Sequence, residues 1–230
     1  ESLALMPQRL SIQVSAYGDH KRRARFHQQR SLFSYAKDMM VNNGLIWALK
    51  EGALNWIDAQ DTVIECARLI RAHYTVMLDV PMEPELLRGA GLTAREAMAT
   101  TVENAKRFLE ADVPGKVFVV QGWQEEDYLK CIDAYRHIGV FDVDCLIGIG
   151  TLFPHQPPRL YEIAGFVCRH LPIKKHVHCF ALWQGRWVKT LASLGVDSFS
   201  TSIATAAGIM NEVITEQGRV YVGPQQTDAL

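Results

Sequence analysis

The chain has 230 residues, of which 48% are hydrophobic, and a net charge of -1. That much apolar material suits a single α/β domain spanning 1–230 with a sizeable core, and it excludes a disordered chain. The charge balance excludes a globally cationic protein, so any contact with nucleic acid has to come from a local basic face.

The five cysteines (Cys66, Cys131, Cys145, Cys168 and Cys179) are scattered and form no CxxC pair. They argue against a cysteine-based zinc site and read as buried thiols of a cytoplasmic protein. No apolar stretch is long enough to span a bilayer, and no signal peptide is visible, so no membrane partner is expected.

The first predicted element is a strand over Leu10 to Ala16, where apolar and polar residues alternate. A basic run follows, with Lys21, Arg22, Arg23, Arg25, His27 and Arg30. It reads either as a solvated face or as a phosphate-contacting patch after a strand end. A short apolar run, Met39 to Val41, ends in Asn42-Asn43-Gly44, residues that favour turns. Trp47 and Trp56 flank the next segment and read as core or as stacking surfaces for a base.

Helical spacing of Val63, Ala67 and Ile70 predicts a helix over Asp61 to Arg71. The run Tyr74 to Leu78 predicts a buried strand that ends in Asp79, and Pro81 and Pro84 predict a long loop after it. Thr93 and Glu96 form a capping box ahead of a helix that places Met98, Val102, Ala105 and Leu109 on one face.

Lys116 to Val120 is the clearest strand, and it ends in Gln121-Gly122. A helix over Glu125 to Ile138 follows, with Gly139 as its C-terminal cap. The next strand ends in Gly148-Ile149-Gly150. Strand, helix, strand in this order is a parallel crossover, whose ligands sit at the carboxyl ends of the strands.

Leu160, Ile163, Ala164, Val167 and Leu171 mark a further helix, and Lys174 to Leu182 a further strand. On that strand His176 and His178 share a face, as a metal pair would, but no clear third ligand accompanies them. Trp187, Leu191 and Leu194 give a short helix, and Val196 to Thr201 is the last clear strand. The tail predicts a helix over Thr205 to Thr215 and a short strand over Arg219 to Val222.

Seven or eight strands alternating with helices predict a (β/α) barrel, with a doubly wound open sheet as the alternative. Neither GxGxxG nor GxxxxGK[ST] occurs, which disfavours dinucleotide and P-loop folds.

The ordered strand ends carry a resemblance. Asp79, Gln121-Gly122, Leu146-Ile147-Gly148-Ile149-Gly150, Val177-His178-Cys179-Phe180-Ala181 and Gly195-Val196-Asp197-Ser198-Phe199-Ser200 occur in that sequence. The set resembles the tRNA-guanine transglycosylase superfamily over roughly Val41 to Ser202. It looks most like the DpdA branch, which places 7-deazaguanine bases in DNA.

The resemblance implies a (β/α)8 TIM-type barrel, here abrupt enough at both ends to be incomplete. It implies base exchange in DNA or tRNA: a carboxylate attacks the anomeric carbon and expels guanine, and a 7-deazaguanine such as a queuosine precursor then displaces it. No cofactor is implied. Asp79, Gln121, Gly122, Gly148, Gly150 and His178 fall to base binding. Asp79 would take the guanine N1–H and exocyclic amine, and Gln121 the carbonyl edge.

Two positions depart from the family pattern. Ser200 stands where the family has its nucleophilic Asp, with Asp197 at the preceding Asp of that motif. Asn42 stands where the family has an acid/base Asp. The family's zinc-binding cysteines are missing. Three readings follow: a transglycosylase using Asp197, Ser200 and Asn42; a non-catalytic relative that binds a deazapurine or nucleic acid, as the subunit of a protein partner or a homodimer; or an unrelated barrel lyase using Lys174 or Lys175. Those lysines start their strand, at the end remote from a barrel site.

Overall fold

The computed structural model describes residues 12–15, 38–42, 56–152, 154–172, 175–180, 187–200, 212–215 and 218–221. Seven strands form one parallel sheet in chain order: β1 (Ile12–Ser15), β2 (Met39–Asn42), β3 (Tyr74–Val76), β4 (Lys116–Val120), β5 (Leu146–Ile149), β6 (His176–Cys179) and β7 (Ser198–Phe199). Helix α1 (Trp56–Ile70) lies between β2 and β3. Helices α2 (Pro84–Gly89) and α3 (Ala94–Glu110) lie between β3 and β4, and α4 (Glu125–His137) between β4 and β5. Helices α5 (Arg159–His170) and α6 (Trp187–Ser193) follow β5 and β6.

Each strand pairs with the next, and α3 packs on α4, α4 on α5 and α5 on α6. A sheet wound one strand at a time, with its helices neighbouring in the same order, is the arrangement of a (β/α) barrel. A doubly wound sheet would reverse its strand order at a switch point. Among the described residues β1 and β7 remain edges, and no eighth parallel strand joins them.

The two faces of the sheet are identified by contacts. Phe118 of β4 meets Phe108 of α3 and Tyr135 of α4 edge-on, with ring centroids 5.3 and 6.2 Å away, so it faces the helices. Alternation then turns Val117, Val119 and Gln121 to the inner face. Register places Val76 beside Val117, Gly148 beside Val119, His178 beside Gly148 and Ser198 beside His178. The main core lies between the sheet and the helices, around Phe108, Phe118, Tyr128, Ile132 and Tyr135.

Four predicted segments differ. The prolines after Asp79 do not keep the chain in a loop: Pro84 opens the short helix α2, where a missing N–H costs nothing. In the tail, Glu212–Thr215 is a strand, β8, paired antiparallel with β9 (Gly218–Tyr221), and not the end of a helix. Val213, Ile214 and Thr215 are all β-branched, a local preference that outweighs the weak helical spacing. The strands after Tyr74 and Lys174 are also shorter than the apolar runs that predict them.

The basic run 21–30, Asn43, Gly44, Trp47, Lys174 and the 205–211 part of the predicted helix lie outside the described residues. Trp56 is described as the start of α1 only through its backbone.

Candidate functional site

Strand β3 stops at Val76, its last bond to β4 comes from Met77, and the amides of Leu78 and Val80 are taken by side chains. Met77 N–H donates to Val117 O at 3.0 Å, Leu78 N–H to Gln60 Oε1 at 2.7 Å, and Val80 N–H to Thr101 Oγ1 at 2.9 Å. Gln60 and Thr101 are buried polar residues of α1 and α3. They satisfy amides that would otherwise be buried without a partner. The segment is thereby released from strand alternation, and Asp79 reaches the Gln121 side chain.

Gln121 closes β4 on the inner face and is almost wholly buried. Its Nε2 donates to Asp79 Oδ2. Its Oε1 accepts from the Thr151 hydroxyl at 2.5 Å, and that hydroxyl oxygen accepts from Met82 N–H at 3.0 Å. Its backbone N–H points to the Cys131 sulfur at 3.4 Å. Burial pushes the Cys131 thiol up to about 12, so the group is a neutral packing partner. The loops after β3, β4 and β5 thus meet in one polar chain at the C-terminal mouth of the sheet.

Thr151 holds a φ of 52°, in the left-handed region. A β-branched residue is an outlier there, at a cost of roughly 1–3 kcal/mol.

Gly150 and Gly148 are close-approach positions. A Cβ on Gly150 would lie 2.3 Å from Gln121 Nε2, so the Gln121 amide rests directly on this glycine. A Cβ on Gly148 would lie 2.3 Å from Phe180 Cε2, so the Phe180 ring fills the space above it. Gly122 lies against the Tyr128 ring. From the helix side, Tyr128 OH donates to Gly150 O at 2.6 Å and Tyr135 OH to Val119 O at 2.7 Å. Burial raises both phenol pKa values far above the ordinary range, so both remain donors.

The register continues one residue past each ladder. Gly150 N–H donates to Val120 O at 2.9 Å, and Ser200 N–H to Cys179 O at 3.0 Å. Gln121, Gly150, Phe180 and Ser200 therefore form one row on the inner face, across β4 to β7. Ser200 is three strand spacings from Gln121, on the order of 14 Å along the sheet.

Asp197 lies at the other end of β7. Its amide donates to Val177 O at 2.9 Å and its carboxylate accepts Val177 N–H at 2.8 Å. It is about 10 Å of strand away from Ser200. Asn42 ends β2, on the face it shares with Met40, and its Oδ1 is buried without a hydrogen-bond partner.

His178 and His176 both turn to Ser198 Oγ, at 2.8 and 3.2 Å. His178 is buried beside the Phe180 ring, with centroids 4.7 Å apart, and burial lowers its pKa to about 4. No group of three His, Cys, Asp or Glu that could hold a metal occurs among the described residues. Lys175 donates to Val143 O at 2.6 Å, on the N-terminal side of the sheet.

Two parts of the mouth escaped the sequence reading. Thr151 carried no signal beyond its place after Gly150. Trp123 and His155, from the loops after β4 and β5, stack with centroids 4.4 Å apart; their meeting depends on loop geometry that spacing does not reveal.

No helix among the described residues is long and apolar enough to cross a membrane. No curated protein matches the chain. The family model described as queuine tRNA-ribosyltransferase matches residues 46–228, which is most of the sequence and includes β3 to β7 with Asp79, Gln121, Gly150, Thr151 and Ser200, but not Asn42. On that match, the chain belongs to the queuine tRNA-ribosyltransferase family.

Proposed function

We propose that this protein is a base-exchange transglycosylase of the DpdA-like kind, which holds a guanine-type base of DNA or tRNA at the C-terminal mouth and admits a 7-deazaguanine in its place. The observation that carries this reading is the direct contact of Asp79 with Gln121 at the ends of adjacent strands. A carboxylate accepts from the adjacent N1–H and exocyclic amine of a guanine, and an amide NH2 donates to the neighbouring carbonyl. The Phe180 ring, seated over Gly148, supplies an apolar surface on which a flat ring can pack.

In this reading Ser200 faces the sugar, since it shares the row of Gln121 on the inner face. Asn42 lies on the same side of the sheet, from β2. Asp197 takes no part in the chemistry, because its carboxylate is engaged with the backbone at the foot of β6.

A second reading has a specific observation in its favour. Neither Ser200 nor Asn42 is a carboxylic acid, and an amide does not shuttle protons at ordinary pH. On that basis the chain is a base-binding relative that serves as the non-catalytic partner of another subunit.

Two measurements test these readings. Calorimetry with 7-deazaguanine should detect binding to the wild type and none to Asp79→Ala; equal affinity in both removes the base slot. Incubation with guanine-containing DNA or tRNA, followed by a denaturing gel, separates the two readings. A covalent adduct supports exchange chemistry, whereas base binding without adduct or exchange supports the partner subunit.

A further inference from the structure

Gln121 is a primary amide, and its two ends have nearly the same size and shape. Packing alone therefore cannot decide whether the C=O or the NH2 end points to a given neighbour; only hydrogen bonding can. Gly150 lies against Nε2, Cδ and Oε1 alike, at 2.3, 2.4 and 2.7 Å from an added Cβ. It fixes the plane of the amide and is indifferent to its direction.

The direction is set at both ends, by the Asp79 carboxylate at Nε2 and by Thr151 at Oε1. Met82 N–H donates to the Thr151 oxygen at 3.0 Å, and a backbone N–H can only donate. The hydroxyl proton is then used toward Gln121 Oε1 at 2.5 Å, which assigns that atom as the carbonyl. The opposite end is Nε2, whose proton goes to Asp79 Oδ2. In the reversed amide, the carbonyl would face the Asp79 carboxylate, while NH2 and N–H would both point at the threonine oxygen. The polarity runs one way through four groups drawn from three loops, and it begins at a backbone amide, which cannot be reversed.

We propose that Thr151 is a positioning residue that locks Gln121 with its NH2 end toward the slot, and so sets the preference of the site for a 6-oxo purine-type edge over a 6-amino one. This rests on the base-binding reading above. Nε2 carries two protons and gives one to Asp79; the second suits a ligand carbonyl and repels a ligand amine. Without the threonine hydroxyl only Asp79 holds the direction of the amide, and its carbonyl turns more readily towards a 6-amino group. The left-handed backbone at Thr151, at φ 52°, fits this role, because the chain holds a β-branched hydroxyl residue at a position better suited to glycine.

The test is calorimetry on the full chain with two probes, 7-deazaguanine and 2,6-diamino-7-deazapurine. The wild type and Thr151→Ser should prefer the 6-oxo base. Thr151→Val, which keeps the shape and the β-branching, should lower that preference by about tenfold, the loss expected for one misdirected hydrogen bond. A merely loosened loop would weaken both bases alike and leave the ratio unchanged. If Thr151→Val does not fold, Thr151→Ala removes the same hydroxyl and is held to the same ratio. An unchanged ratio in a folded variant that still binds 7-deazaguanine overturns the role of Thr151 and leaves the base slot intact. Failure of the wild type to bind either probe removes the base slot and this proposal together.

Discussion

At the residue scale, the mouth is built from side chains that need both a partner and an empty neighbour. The Gln121 amide can lie where it does only because Gly150 has no Cβ. Gly150→Ala should therefore displace Gln121 and weaken 7-deazaguanine binding by tenfold or more, while circular dichroism stays that of the wild type. An alanine variant with wild-type affinity would show that the Gln121 position is irrelevant to the ligand. Asp79 and Gln121 were legible in the sequence because each is a polar residue directly after an apolar strand, and such residues fall at the carboxyl end of a parallel sheet. Thr151 and Phe180 were not legible in the same way. Their importance lies in the direction of a hydrogen bond and in the space above Gly148, and neither leaves a trace in spacing or composition. Asp197 and Ser200 looked like near neighbours in one motif, yet they lie at opposite ends of β7.

At the element scale, the helices do more than cover the sheet. The Thr93–Glu96 capping box, read from the sequence, forms in full at the start of α3. That helix carries Thr101, which accepts Val80 N–H. Thr101→Val keeps the volume and leaves the amide without its acceptor. It should cost about 1–3 kcal/mol in urea unfolding. A loss under about 0.5 kcal/mol, the usual scatter of neutral substitutions, would mean that the segment finds another acceptor. Helices with clean apolar stripes were predicted close to their observed bounds, as α4 and α5 show. Strand ends were over-extended, because an apolar run continues after the ladder has stopped, as Met77 and Leu78 do past β3. The β8–β9 hairpin was half missed, since a short β-branched run can also be placed on a helical stripe.

At the scale of the whole molecule, the sequential parallel order was legible from the alternation of strands and helices, and the family match covers β3 to β7 of it. The open edges at β1 and β7 among the described residues were not legible, because pairing between distant parts of the chain leaves no local pattern. One global property follows from a histidine on the inner face. His178 has its pKa lowered to about 4, first by burial and then by the neighbouring His176. Ser198 and Phe180 are its other neighbours on that face. In the unfolded chain the ordinary value is near 6.5. The folded form therefore binds a proton less readily, and its stability is full above about 6.5 and falls as pH drops towards 4. The share from this one group is up to roughly 3 kcal/mol. Urea unfolding of the wild type and His178→Gln between pH 7 and pH 4 should show the wild type losing more stability by about that amount. Parallel pH profiles would mean that the imidazole is solvated in the folded state.

The two hydrogen bonds between Asp197 and the Val177 backbone, one from its amide and one to its carboxylate, act as a peg at the foot of β7. That strand has only two residues of its own, so its register on β6 rests on this pair together with the Ser200 amide and the Ser198 hydroxyl. A slide of one residue would exchange the two sides of the strand and point Ser200 at the helices. An acid at one end of a strand can in this way decide which side of the sheet carries the hydroxyl at the other end.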